Sequence, residues 1–113
     1  MLYRMRIYQA VKENLPVFHE FFRTHLLPVQ LRHGARLVGR WETQDGRVIA
    51  IWEYDNAAAY EQIQAAVRTD PDARRAQDHR AQLPTLITST EEIFMSSMID
   101  AASQADANAQ RKP

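Results

Sequence analysis

The chain has no cysteine. That excludes disulfide staples, thiolate nucleophiles and cysteine-ligated metal. Its three glycines form no GxGxxG or Walker pattern, and HExxH and GxSxG are absent as well, so no motif of established chemistry sets a reaction. Charge of neither sign is in excess, with 14 Lys plus Arg against 14 Asp plus Glu. Electrostatics therefore gives no argument for nucleic acid or an anionic membrane surface as partner. No apolar run approaches the ~20 residues that a bilayer span needs. The opening MLYRMRIYQ passes straight into an alternating pattern with no apolar core of signal-peptide type, and a cytoplasmic location is the expectation.

What the chain does have is a hairpin. In GARLVGRWETQDGRVIAIWEYD, two runs rich in Val, Ile, Leu and Trp flank Asp45-Gly46. Asp-Gly suits a type I′ turn, whose two central residues need φ > 0. Antiparallel strands are predicted over Arg36–Glu42 and Arg47–Tyr54. On the second, Val48, Ala50, Trp52 and Tyr54 share one face and Ile49, Ile51 and Glu53 the other. Both faces are largely apolar, so both should be covered.

The remaining elements follow in order. Leu2–Gln9 reads as a strand, with Tyr3, Met5 and Ile7 on one face and Leu2, Arg4, Arg6 and Tyr8 on the other. Strand arginines are usually solvated or ion-paired. The functional alternative is that one points into a closed interior and holds an anionic group or a carboxylate. Asn14 is the expected N-cap of a helix with Pro16 in its first turn. Phe18, Phe21, Phe22, His25 and Val29 make its apolar stripe, Glu20, Arg23 and Gln30 lie opposite, and Pro28 should kink it. His33-Gly34 is the stop. A second helix, capped by Asp55-Asn56, packs through Tyr60, Ile63, Gln64 and Val67. It breaks at Asp70-Pro71 and restarts to about Gln82, carrying His79. Glu91–Met98 is the last strand. From Asp100 onward no bulky apolar residue occurs, and 100–113 is expected to be a disordered tail beyond a single domain spanning 1–99.

The order β-α-β-β-α-β is the ferredoxin-like plan: α+β, with both helices on one face of a four-stranded antiparallel sheet. The opposite face needs a second chain, which predicts a homodimer closed as a dimeric α+β barrel. The strand with Arg6-Ile7-Tyr8, the helix end LLPVQLRHG, LVGRW, IWEYD and LPTLITS, in this order over roughly Met1 to Met98, resemble the NIPSNAP family. The resemblance implies the same dimeric barrel. Arg4 departs from it, standing where the family usually has an acidic residue, and the glycine common before the first helix is absent from VKEN. Relatives in eukaryotes are linked to mitochondria and vesicle traffic. The wider superfamily includes cofactor-independent monooxygenases, haem-binding and haem-degrading enzymes, and isomerases.

Two functions are therefore in view. One is a binding protein or enzyme taking a small hydrophobic or aromatic ligand in the helix–sheet cleft, with His25, Trp52, Tyr54, His79 and Arg6 as candidate ligand-binding residues and His25 as candidate general base. His79 lies in a region comparable to the iron-ligating histidine of haem-degrading relatives, without their surrounding motif. The residues themselves call for neither metal nor cofactor. The other function is a non-enzymatic scaffold for protein interaction. Histidine on the phenylalanine stripe is more often a core residue satisfied by a carbonyl or a tyrosine hydroxyl than a catalytic base.

Overall fold

The computed structural model describes residues 1–99; the expected C-terminal tail lies outside the described residues. Strands β1 (Leu2–Ala10), β2 (Arg36–Glu42), β3 (Arg47–Tyr54) and β4 (Ile87–Ser96) form one antiparallel sheet in the order β2-β3-β1-β4. Helices α1 (Leu15–Phe21), α2 (Leu27–Arg32), α3 (Ala57–Thr69) and α4 (Pro71–Arg80) cover one face. None is long and apolar enough to cross a membrane. The β-α-β-β-α-β plan stands.

The two hairpin strands have the predicted bounds, but the turn between them differs. Within the turn only Gly46 has positive φ, at 84°. The Gly46 amide donates to the Thr43 carbonyl at 3.1 Å and the Thr43 amide to that of Arg47 at 2.8 Å. This is a three-residue connection closed by a left-handed glycine, so only Gly46 has to leave the right-handed region. β4 begins at Ile87, four residues before the predicted Glu91. Its first half, ITST, is polar because it is an edge strand, and polarity there hides the strand from hydropathy.

Pro28 does more than kink the first helix. Phe22–Leu26 forms a π-helical segment joining α1 to α2, which absorbs the missing N–H and the ring clash of the proline one turn earlier. Its wider turn advances the phase of everything after it. Gln30, predicted on the wet side, instead faces the sheet, while His25 turns toward α4. The helix ends as expected. Gly34 has φ 102°, and the amides of Gly34 and Ala35 donate to the carbonyls of Leu31 and Gln30 at 3.1 and 3.0 Å, a Schellman closure. Asn14 precedes α1 but makes no side-chain cap. Its side-chain Nδ2 donates to the Thr85 carbonyl at 2.7 Å and ties the helix start to the approach of β4.

Asp70 is the latch between the two helical arms. As N-cap of α4 it accepts the Asp72 amide at 2.8 Å, and its other oxygen accepts from His33 and Arg32, each at 2.7 Å. His33, together with the Asp72 amide and Arg32, holds the carboxyl at about 2 against an ordinary 3.8. A depressed folded value stabilises the fold above the unfolded value, and that contribution is lost as pH falls through roughly 4 to 2. Asp70→Asn should therefore melt lower than the parent near neutral pH. The gap in Tm should close toward pH ~2, measured by thermal denaturation across that range.

The core sits between sheet and helices. Val48, Ala50 and Tyr54 are fully buried, Trp52 nearly so, and Phe18, Phe21, Phe22, Val29, Ala35, Ala76 and Leu86 complete it. Register places Leu2, Arg4, Arg6 and Tyr8 of β1 beside Tyr54, Trp52, Ala50 and Val48. The strand face that carries two arginines is thus the face under the helices.

Candidate functional site

That choice of face builds the site. Arg4 and Arg6 enter the helix–sheet layer from the central strand, where neighbouring side chains of β3 are Trp52 and Ala50 and those of β4 are Phe94 and Glu92. Burying a guanidinium without a counter-charge is costly. Glu92 supplies one: it accepts from Nε of Arg4 and lies 3.7 Å from Nη1 of Arg6. Burial by itself would lower the Arg4 guanidinium, but Glu92 and neighbouring tyrosines hold it above its ordinary value. Arg4 also lies over the Tyr60 ring at 5.4 Å, and Arg6 over that of Tyr8 at 5.4 Å. Nε of Arg6 is buried with no hydrogen-bond partner.

Around these arginines is a cavity of about 330 Å³. Arg4, Arg6 and Tyr8 of β1 and Trp52 of β3 form its floor. Phe18, Phe21, Phe22, Leu26 and Gln30 come from the first helical arm, and Gln77 and Arg80 from α4. Leu86, Ile87 and Thr90 close the β4 side. The aromatic walls brace one another: Tyr8 meets Phe18 edge-on at 5.5 Å, and Phe22 meets Trp52 at 6.1 Å. The arrangement can seat an apolar ring against the aromatics while offering cationic donors from one side.

The predicted site residues divide among three places. Arg6 and Trp52 meet in this cavity. Tyr54 is fully buried in the core behind Trp52, its hydroxyl without a hydrogen-bond partner and pushed up by burial. His25 and His79 lie elsewhere, in a groove between the π turn, α2 and α4 lined also by Thr24, Arg32, Asp72 and Arg75. Their rings pack on each other at 4.5 Å, with Phe21 at 5.6 Å from His25. No imidazole lines the helix–sheet cavity, and no macrocycle fits between two rings in contact. The histidines therefore offer no axial ligand to a haem in the helix–sheet cavity and cannot sandwich one between them. Among the described residues, no cluster of three or more His, Asp or Glu side chains could hold a metal.

Several lining residues escape sequence reasoning. Leu26 and Gln30 arrive by the π turn, Ile87 and Thr90 by the early start of β4, and Arg80 by the path of α4. On the far side of the first helix Arg40 of β2 lies over the rings of Phe18 and Phe22 at 4.9 and 4.3 Å. Its Nη1 donates to Nδ1 of His19 at 2.6 Å, which requires the neutral Nε2–H tautomer, with Glu42 3.5 Å from that nitrogen. Burial pushes the Arg40 guanidinium down. This set flanks the cavity without lining it.

The fold has many counterparts among solved structures. An uncharacterized NIPSNAP domain protein from Burkholderia xenovorans superposes with TM-score 0.75 at 22% identity, over 86% of this chain and 94% of that one. A NIPSNAP family protein from Agrobacterium tumefaciens gives 0.74 at 18% identity, over 86% and 92%. A proposed antibiotic biosynthesis monooxygenase from Nitrosomonas europaea gives 0.63 at 10% identity, over 87% and 99%. At such identities these likenesses show the ferredoxin-like fold alone. No curated protein matches the sequence. The NIPSNAP family model matches residues 3–100, nearly the whole of the domain whose strand and helix landmarks are described above, and the chain belongs to the NIPSNAP family.

Proposed function

We propose that this protein binds a small aromatic ligand in the cavity between the helices and the sheet. The observation that carries the reading is the cavity itself: about 330 Å³, walled by Tyr8, Phe18, Phe22 and Trp52 and provided with polar groups from Thr90, Gln30 and the arginines. Pockets of this size with a few convergent polar groups are the usual form of a small-molecule site. Binding is favoured over base-assisted oxygenation of the kind that the monooxygenase-like fold suggests. A general base must reach the proton it abstracts, and the ionisable groups lining this cavity are arginines and Tyr8. The non-enzymatic scaffold reading finds its support on the opposite sheet face, where Tyr3, Met5, Ile7, Ile51, Trp41, Ile93 and Met95 form an apolar strip. A second copy of the chain covering that strip is compatible with ligand binding on the other side, and both belong to this proposal.

The ligand site is tested with benzyl alcohol, a neutral single-ring probe. The two tryptophan indole N–H resonances of a ¹⁵N-labelled sample report separately on the two faces, Trp52 on the cavity and Trp41 on the open face. A saturable shift confined to Trp52 is the expected result. Shifts on Trp41 alone, or on neither indole with neutral and anionic aromatics alike, would sink the reading.

A further inference from the structure

The cavity is unevenly charged. Arg4, Arg6 and Arg80 all line it. Among the described residues the only carboxylate in contact with any of them is that of Glu92. Glu92 is committed to Arg4, where it accepts from Nε; its approach to Arg6, at 3.7 Å, is longer than a hydrogen bond. Nε of Arg6 is buried and unpartnered, and Arg80 has no ion pair among the described residues. Three cations and one carboxylate thus border a space whose remaining walls are largely aromatic and aliphatic. A buried N–H left without an acceptor costs free energy that an arriving acceptor would recover. Guanidinium forks match a planar carboxylate with paired donors, and such charge-assisted bonds are the strong ones.

Resting on the binding reading above, we infer that the ligand is an aromatic carboxylic acid in its anionic form, its ring among Phe18, Phe22 and Trp52 and its carboxylate facing Arg6 and Arg80. Glu92 has a positioning part in this arrangement. By occupying Arg4 it leaves Arg6 as the cation with donors to spare, and against the three arginines it leaves the lining two positive charges in excess. The aromatic walls require that the anion carry a ring; a small aliphatic acid would meet the cations and leave the walls bare.

The test compares benzoate, benzyl alcohol and acetate on the full chain, each followed by the Trp52 indole resonance at low ionic strength. Benzoate should bind at least tenfold more tightly than benzyl alcohol, and acetate more weakly than benzoate. Added salt should erode the benzoate advantage, since salt screens accessible charges. In Arg6→Gln the benzoate-to-benzyl alcohol affinity ratio should fall toward unity. Arg80→Gln, a change at an exposed helix position, should lower the same ratio, and it serves if Arg6→Gln fails to fold. Equal affinity for benzoate and benzyl alcohol, or a ratio unmoved in both variants, would overturn the carboxylate inference while leaving the aromatic site standing. Acetate equal to benzoate would make the site a simple anion pocket and overturn it too. Absence of binding by all three would overturn the aromatic site and this inference with it.

Discussion

Phe21→Ala is expected to remove about 3–5 kcal/mol of stability, whereas His25→Phe, four residues along the same helix, should change it by less than ~1 kcal/mol. Phe21 is 2% exposed and sits in the cluster of Phe18, Val48, Ala76 and Leu86. It is where the first helical arm meets both β3 and α4, so truncation opens a void that neither layer can collapse to fill. Domains of this size have only ~5–15 kcal/mol in hand. The variant should therefore melt far below the parent or be recovered unfolded. His25 is half-buried, packs between Phe21 and His79 and has no side-chain hydrogen bond to lose among those described. A phenyl ring in its place keeps the stacking. Because it lines the α4 groove rather than the ligand cavity, His25→Phe should also leave the benzyl alcohol response of Trp52 as it was. Chemical denaturation of the two variants side by side is the check. A His25→Phe loss comparable to that of Phe21→Ala would mean that the imidazole makes a polar contact the structure does not contain.

The contrast between these two residues also shows where sequence reasoning reaches and where it stops. Alternation identified β2 and β3 to the residue, because a two-residue period bounded by Asp-Gly on one side and Asp55-Asn56 on the other has few other readings. It put Trp52 on one face with Val48, Ala50 and Tyr54 and grouped Arg6 with Arg4 and Tyr8. It could not say that the arginine face is the one under the helices, since both faces of the hairpin are apolar and the decision lies in the pairing of Arg6 beside Ala50, some forty residues away in the chain. A regular 3.6-residue period put His25 on the phenylalanine stripe. Pro28 announced an irregularity, but proline is as compatible with a simple kink as with a π turn, and only the π turn moves His25 off the face and Gln30 onto it. The carboxylate of the site, Glu92, is as exposed as a Glu-Glu pair ordinarily is, its side chain 37% accessible, and nothing local in the sequence marks it as a counter-charge. Its counter-charges come from β1, which no local pattern reports.

Ile51→Arg is expected to break the pairing of two copies proposed above without unfolding the chain. Ile51 lies on β3 between Met5 of β1 and Gly39 of β2, on the sheet face away from the helices. Around it Trp41 is 49% and Ile93 43% exposed, and a Cβ on Gly39 would come within 2.4 Å of the Trp41 ring, so the indole spreads over the glycine and widens the apolar strip. The strip has a polar edge, where the Tyr3 hydroxyl donates to Glu53 at 2.9 Å and Arg36 donates to the same carboxylate at 2.7 Å. Arg36 first and Tyr3 second hold the Glu53 carboxyl below the usual range. An apolar centre with a charged rim is the form of an association surface. A two-fold pairing of identical strips is the simplest closed solution, because each copy carries the surface that the other needs. In a lone chain the new arginine would extend into water at little cost. In a paired sheet each copy would bury one such arginine, and even a single uncompensated charge, at about 3–5 kcal/mol, is enough to raise the dissociation constant by roughly a hundredfold to several thousandfold. Light scattering coupled to gel filtration over a range of concentrations would show a halved mass for the variant, and far-ultraviolet dichroism an unchanged fold. A parent protein that is monomeric at every concentration would refute the paired-sheet reading outright. An Ile51→Arg protein that stays dimeric would place the contact on another surface and leave the strip to a different partner.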